Sequence, residues 1–132
     1  GKGGIGKSTT SCNVSASLSQ MGEKVMQVGC DPKRDSIAML CHGMKPTILH
    51  TMLERGESGI SEDLVKSVLH DGFADVICVE CGGPKPGVGC GGRGVNLALT
   101  ALDRYRIFDQ CGVTFLLLDV LGDTVCGGFA MP

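Results

Sequence analysis

The hydrophobic positions follow two periods along this chain. Val14, Ala16, Leu18 and Met21 recur among polar residues, and Gly22 supplies a stop, so the spacing predicts a helix over 7–21. The run Lys24-Val25-Met26-Gln27-Val28-Gly29-Cys30 predicts a short strand that leads into Asp31. A short helical pattern covers Ser36-Ile37-Ala38-Met39-Leu40. Thr47 is suited to cap a helix reaching Glu54 and stopping at Gly56, and Ser61 to cap another reaching Leu69. Asp75-Val76-Ile77-Cys78-Val79-Glu80 predicts a buried strand. Residues 82–94 hold too much Gly and Pro for helix or strand, and a helix over 95–102 follows them. Val113-Thr114-Phe115-Leu116-Leu117-Leu118-Asp119 is an apolar strand ending on a carboxylate. Strands alternating with helices predict the α/β class, a mostly parallel sheet with helices on both faces.

The glycines at the start give this pattern its chemistry. Gly1-Lys2-Gly3-Gly4-Ile5-Gly6-Lys7-Ser8 fits G-x-x-x-x-G-K-[ST], the phosphate-binding loop, and a helix pattern follows at once. Gly3, Gly4 and Gly6 tolerate backbone angles that turn N–H groups toward phosphates. Lys7 brings a charge to the β- and γ-phosphates, and Ser8 brings a hydroxyl to Mg²⁺. Thr9 and Thr10 open the helix, whose dipole favours an anion. Gly1, Gly3, Gly4, Ile5, Gly6, Lys7, Ser8 and Thr9 are therefore the candidate nucleotide cradle, joined by Asp119 as a Walker B carboxylate near Mg²⁺. Asp31 and Asp35 follow the strand over 24–30. Each is a candidate for the Mg²⁺ shell or for orienting the attacking water, since α/β folds gather ligands at the carboxyl ends of strands. Helix capping before Ser36 is the competing role for Asp35. Lys2 sits where the deviant form of the loop carries a second lysine, a form that predicts a homodimer.

Composition narrows the options. The 132 residues suffice for a single phosphate-loop ATPase domain spanning 1–132. A phosphate loop needs a strand feeding it, so the chain is expected to be a fragment lacking that first strand and the C-terminal part. A net charge of −2 argues against a nucleic-acid surface, and no apolar run reaches the ~18–20 residues of a membrane span. The 21 glycines cluster in motifs, as tight ligand loops require. His42, His50 and His70 have no ligand spacing and are expected to be structural or exposed.

Eight cysteines beside a phosphate loop point to reduced thiols in a cytoplasmic protein, and so to metal or cluster ligation. Cys78 and Cys81 form a C-x-x-C that is either a packing coincidence or a redox or zinc pair. No second pair completes a zinc site, and Cys78 lies within an apolar strand. Cys12, Cys30, Cys41 and Cys111 form no pattern and are expected to pack. Cys90-Gly91-Gly92 and Cys126-Gly127-Gly128 are twin motifs in which glycine lets backbone approach inorganic sulfide. Iron–sulfur clusters usually take four thiolates, which two chains would supply together. Two unrelated cysteines in glycine turns are the alternative. Asp119 and Cys126 stand seven positions apart, so a nucleotide sensor and a cluster ligand would share one short segment containing Asp123, a candidate to orient the attacking water.

The phosphate loop, Gly29-Cys30-Asp31-Pro32-Lys33, Gly82-Gly83-Pro84, Pro86-Gly87-Val88-Gly89-Cys90, Gly92-Arg93-Gly94 and the run from Asp119-Val120-Leu121-Gly122-Asp123 to Ala130-Met131-Pro132 together resemble the nitrogenase iron protein (dinitrogenase reductase) family. The resemblance covers the whole chain. It implies an ATP-dependent one-electron reductase, a homodimer bridging one [4Fe-4S] cluster through Cys90 and Cys126 of each subunit, and two MgATP sites. It also implies electron delivery to a molybdenum–iron-type dinitrogenase component, from a low-potential donor such as ferredoxin or flavodoxin. Lys2 would reach the partner subunit's nucleotide, and Arg93 would lie on the docking face, where some members are ADP-ribosylated.

Arg34, Cys81, Lys85 and Thr124 depart from the family's usual Ala, Ser, acidic residue and Val, and the segment 41–75 diverges. These departures bear on the partner. Relatives serving a protochlorophyllide or nickel-tetrapyrrole reductase share much of the 26–33 run, while Gly92-Arg93-Gly94 and the Ala-Met-Pro ending favour the nitrogenase branch. A partitioning ATPase shares the deviant loop but has no use for twin Cys-Gly-Gly motifs. A cluster-carrier ATPase would want a close cysteine pair at the dimer interface.

Overall fold

The computed structural model describes residues 4–30, 33–83 and 91–120, residues 91–94 by their backbone. The element order is α1 (Lys7–Gln20), β1 (Val25–Gly29), α2 (Ala38–Cys41), α3 (Ile48–Glu54), α4 (Glu62–Ser67), β2 (His70–Asp71), a 3-10 turn (Phe73–Asp75), β3 (Ile77–Glu80), α5 (Gly91–Arg104), α6 (Ile107–Gln110) and β4 (Phe115–Asp119). The sheet runs β2-β3-β1-β4. β1 pairs in parallel with both β3 and β4, and only the two-residue β2 runs antiparallel, at the edge beside β3. The sheet is mostly parallel with helices, as the alternation of strand and helix patterns predicts.

The central strand explains the layering. All five residues of β1 are buried, as expected for a parallel strand covered on both faces. Side chains alternate along a strand, so Met26 and Val28 join one core while Val25 joins the other. β3 divides the same way: Ile77 and Val79 enter the first core, Cys78 the second. The first core is closed by Ile48, Leu64, Val65, Ala98, Leu102 and Ile107, from α3 to α6. The second is closed by Cys12 of α1 and by Ile37, Leu40 and Cys41 at α2. Each fully buried side chain of Leu or Ile size contributes about 1.5–3 kcal/mol of transfer free energy.

Local signals account for most boundaries. Thr47 Oγ1 accepts from His50 N at 3.1 Å and Ser61 Oγ from Leu64 N at 3.3 Å, so both predicted caps are made. α4 stops at Ser67, short of the expected Leu69, because the chain turns there into β2. β3 starts at Ile77, since Ala74 and Asp75 take left-handed angles (φ 56° and 61°) in the turn before it. α5 is longer than expected at both ends.

α1 differs in part in which face it buries. Of the predicted apolar positions, Ala16 and Leu18 pack against the second core, Val14 and Met21 are exposed, and the fully buried residues are Cys12 and Ser15. The reason is polar: Ser15 Oγ donates to Gln27 Oε1 of β1 at 2.7 Å.

Candidate functional site: a phosphate cleft and the carboxylate behind it

Gly4 and Gly6 carry φ of 78° and 87°, the left-handed region that glycine enters without steric cost. Gly6 is the N-cap of α1, where no side chain caps the first-turn N–H groups. Those donors and the helix dipole therefore face the loop, an arrangement suited to an anion. Gly4, Gly6, Lys7, Ser8 and Thr9 line a cleft of about 270 Å³, closed on its other side by Lys33 and Asp35. Two lysines, a hydroxyl pair and a carboxylate at a helix N-terminus are a donor set that fits a phosphate chain with a divalent cation.

The sheet register brings Asp119 to this end of the molecule. β4 pairs with β1 so that Asp119 stands opposite Gly29, at the carboxyl ends of two parallel strands. Asp119 is buried, and its Oδ2 accepts from Ser36 Oγ at 2.5 Å. Its backbone carbonyl accepts from Cys30 N at 3.2 Å and from the Cys30 thiol at 3.4 Å. Asp119 is thus joined to the cleft wall through Ser36, the residue that follows Asp35.

Ser36 is itself held from several sides. Its carbonyl accepts from Gln27 Nε2 at 3.0 Å and from the Cys12 thiol at 3.2 Å. The next peptide N–H, that of Ile37, donates to Glu80 Oε1 at 2.9 Å. Ser15, Gln27, Ser36, Glu80 and Asp119 form a buried polar group in an otherwise apolar interior. Sequence pattern alone assigns no site role to Ser15, Gln27, Ser36 or Glu80. The one visible signal was the amide of Gln27 inside an apolar strand.

Of the candidate residues, Gly4, Ile5, Gly6, Lys7, Ser8, Thr9 and Asp119 are described, and Ile5 is exposed. Asp35 lines the cleft while Ile37 is the N-cap of α2, so the wall position and not the cap describes Asp35. Gly1, Lys2, Gly3, Asp31, Cys90, Asp123 and Cys126 lie outside the described residues, as does the side chain of Arg93. α5 begins at Gly91, the residue after Cys90 in the chain.

The other cysteines are packing residues. Cys78 and Cys81 are fully buried in different cores, and burial pushes both thiols far above their ordinary range. Burial also raises Cys12 and Cys41. His42 ends α2 with a left-handed backbone, His50 pairs with Glu54 at 3.3 Å, and His70 sits in the edge strand. No described helix is long and apolar enough to cross a membrane.

Known proteins resemble this chain throughout. Nitrogenase iron protein of Methanococcus voltae is 50% identical over 132 residues, covering all of this chain and 46% of the relative. That of Methanospirillum hungatei JF-1 is 54% identical over 133 residues, covering all of this chain and 45% of the relative. Nitrogenase iron protein 2 of Methanothermococcus thermolithotrophicus is 46% identical over 141 residues, covering all of this chain and 48% of the relative. The chain therefore spans about half the length of the curated relatives it matches. Among solved structures, cobyrinic acid a,c-diamide synthase from Mycobacterium smegmatis, with bound ATP analog and magnesium, superposes with a TM-score of 0.60 at 17% identity. That match covers 96% of this chain and 52% of the synthase and supports the fold alone. A family model matches residues 1–132 without remainder, and the chain belongs to the 4Fe-4S iron sulfur cluster binding proteins of the NifH/frxC family.

Proposed function

We propose that this chain carries the nucleotide site and cluster ligands of an ATP-driven one-electron reductase, a nitrogenase iron protein. The observation that carries the reading is the cleft at the α1 N-terminus, with left-handed Gly4 and Gly6 on one side and Lys33 and Asp35 on the other. Whole-chain membership in the cluster-binding family and the names of the curated relatives supply the redox part.

In this reading Lys7 and the loop N–H groups bind the phosphates, Ser8 and Asp119 hold Mg²⁺, and Asp31 and Asp123 orient the attacking water. Lys2 acts across a homodimer interface on the partner subunit's nucleotide. Cys90 and Cys126 of each subunit hold a shared [4Fe-4S] cluster, which when bound supplies a low-potential electron. Arg93 belongs to the docking face for a dinitrogenase component, and ferredoxin or flavodoxin is the donor. Gly122, Gly127 and Gly128 give the 119–126 segment the freedom to report the nucleotide state to the cluster.

The test uses the full-length protein. Lys7→Ala should abolish ATP binding, Lys2→Ala should spare binding but slow hydrolysis, and Cys90→Ser or Cys126→Ser should remove a cluster present at four iron per dimer. MgATP should strongly change the rate of iron chelation, and Asp123→Asn should alter hydrolysis and so the timing of the return; identical chelation rates without nucleotide, with MgADP and with MgATP would refute the coupling. Reduction of a tetrapyrrole reductase in place of a dinitrogenase component would reassign the partner, and four iron per monomer would overturn the shared cluster.

A further inference from the structure

We infer that Gln27 is a positioning residue for the metal–nucleotide site, acting through Ser36 on the carboxylate of Asp119. The inference rests on the nucleotide reading above and adds Gln27 and Ser36, which that reading does not use.

Gln27 occupies the middle of the central strand, between Met26 and Val28, and is fully buried. An unpaired amide there would cost several kcal/mol, whereas an apolar side chain would cost nothing. The amide is instead spent on three named contacts. Oε1 accepts from Ser15 of α1 at 2.7 Å, and Nε2 donates to the Ser36 carbonyl at 3.0 Å and approaches Cys12 Sγ at 3.6 Å. Two of those partners lie on α1, the helix that the phosphate loop opens, and one lies on the segment between the cleft wall and α2. Gln27 therefore fixes the distance between the helix and the 35–37 segment.

Fixing Ser36 fixes Asp119. The Ser36 peptide is held at its carbonyl by Gln27 and Cys12, and the following N–H by Glu80. Its hydroxyl donates to Asp119 Oδ2 at 2.5 Å. A hydrogen bond to a charged acceptor sets the carboxylate's rotamer before any cation arrives, which removes an ordering cost from metal binding. The chain of contacts Ser15–Gln27–Ser36–Asp119 joins the two strand ends and the phosphate helix without passing through solvent.

The experiment titrates Mg²⁺ against full-length protein and a fluorescent ATP analogue, with parallel binding in EDTA and thermal melts. Ser36→Ala should raise the Mg²⁺ concentration for half-maximal tightening roughly tenfold, the weight of a hydrogen bond to a charged group. Gln27→Met, which keeps the volume, should shift it in the same direction by roughly threefold. Affinity in EDTA should stay unchanged in both, a separation that mere loss of stability would not produce. The double variant should resemble Ser36→Ala, because the two residues act in series. A lowered melting temperature with an unmoved Mg²⁺ response, or additive shifts in the double variant, overturns the relay. If the unsubstituted protein shows no Mg²⁺-dependent binding, the nucleotide reading falls and the relay with it.

Discussion

Cys78 and Cys81, three residues apart in a C-x-x-C, point into different cores on opposite faces of the sheet. The alternation of a strand separates what the sequence spacing brings together. A pair so placed cannot share a zinc ion or close a disulfide without unfolding β3.

Thiol reactivity follows from this arrangement. Among the described cysteines, Cys111 is half-buried and Cys12, Cys30, Cys41, Cys78 and Cys81 are buried. Native-state alkylation with peptide mapping should label Cys111 first and spare the other five until denaturant is added. Equal early labelling of Cys78 and Cys81 would show that the packing assigned to them is wrong.

Gly29 should tolerate no side chain. A Cβ there would stand 2.3 Å from Glu80 Oε2 and 2.5 Å from Ser36 Cβ. Gly29→Ala should destabilise by about 1–3 kcal/mol through overpacking. It should also weaken Mg²⁺-dependent nucleotide binding, since the displaced atoms belong to the segment that holds Asp119. Denaturant unfolding of the full-length protein measures the first effect, and an unchanged midpoint would refute the close approach.

His70 should make stability sensitive to mild acid. Its Nε2 is buried with no hydrogen-bond partner among the described residues, and burial, then the nearby Lys45 charge, lowers its pKa below the ordinary 6.5 while Asp71 opposes. The unfolded chain then takes up a proton at about pH 6.5 that the folded chain refuses, so stability falls as pH drops below that point and is level above it. His70→Phe should flatten the slope of melting temperature between about pH 7.5 and 5.5. An unaltered slope would assign the acid sensitivity elsewhere.

Much of this architecture was legible because it is local. The phosphate loop, the Thr47 and Ser61 caps and the three parallel strands each rest on residues within one element. β2 and α6 escaped because two and four residues carry no period. The face of α1 is legible only in part, since Ala16 and Leu18 pack as the pattern predicts and Val14 and Met21 do not. Serine in a helix suggests solvent, and only the position of Gln27 across the layer makes Ser15 the buried residue and Val14 the exposed one. The same holds for Ser36, whose role exists only once β4 lies beside β1.

The two rims of the described sheet are unlike each other. On the β2 side the ladder runs out after two residues. On the β4 side five residues stand last in the order, with Phe115, Leu116 and Leu118 about two-fifths exposed. Among the described residues, the β4 rim therefore offers a further strand far more ladder and apolar cover than the β2 rim does.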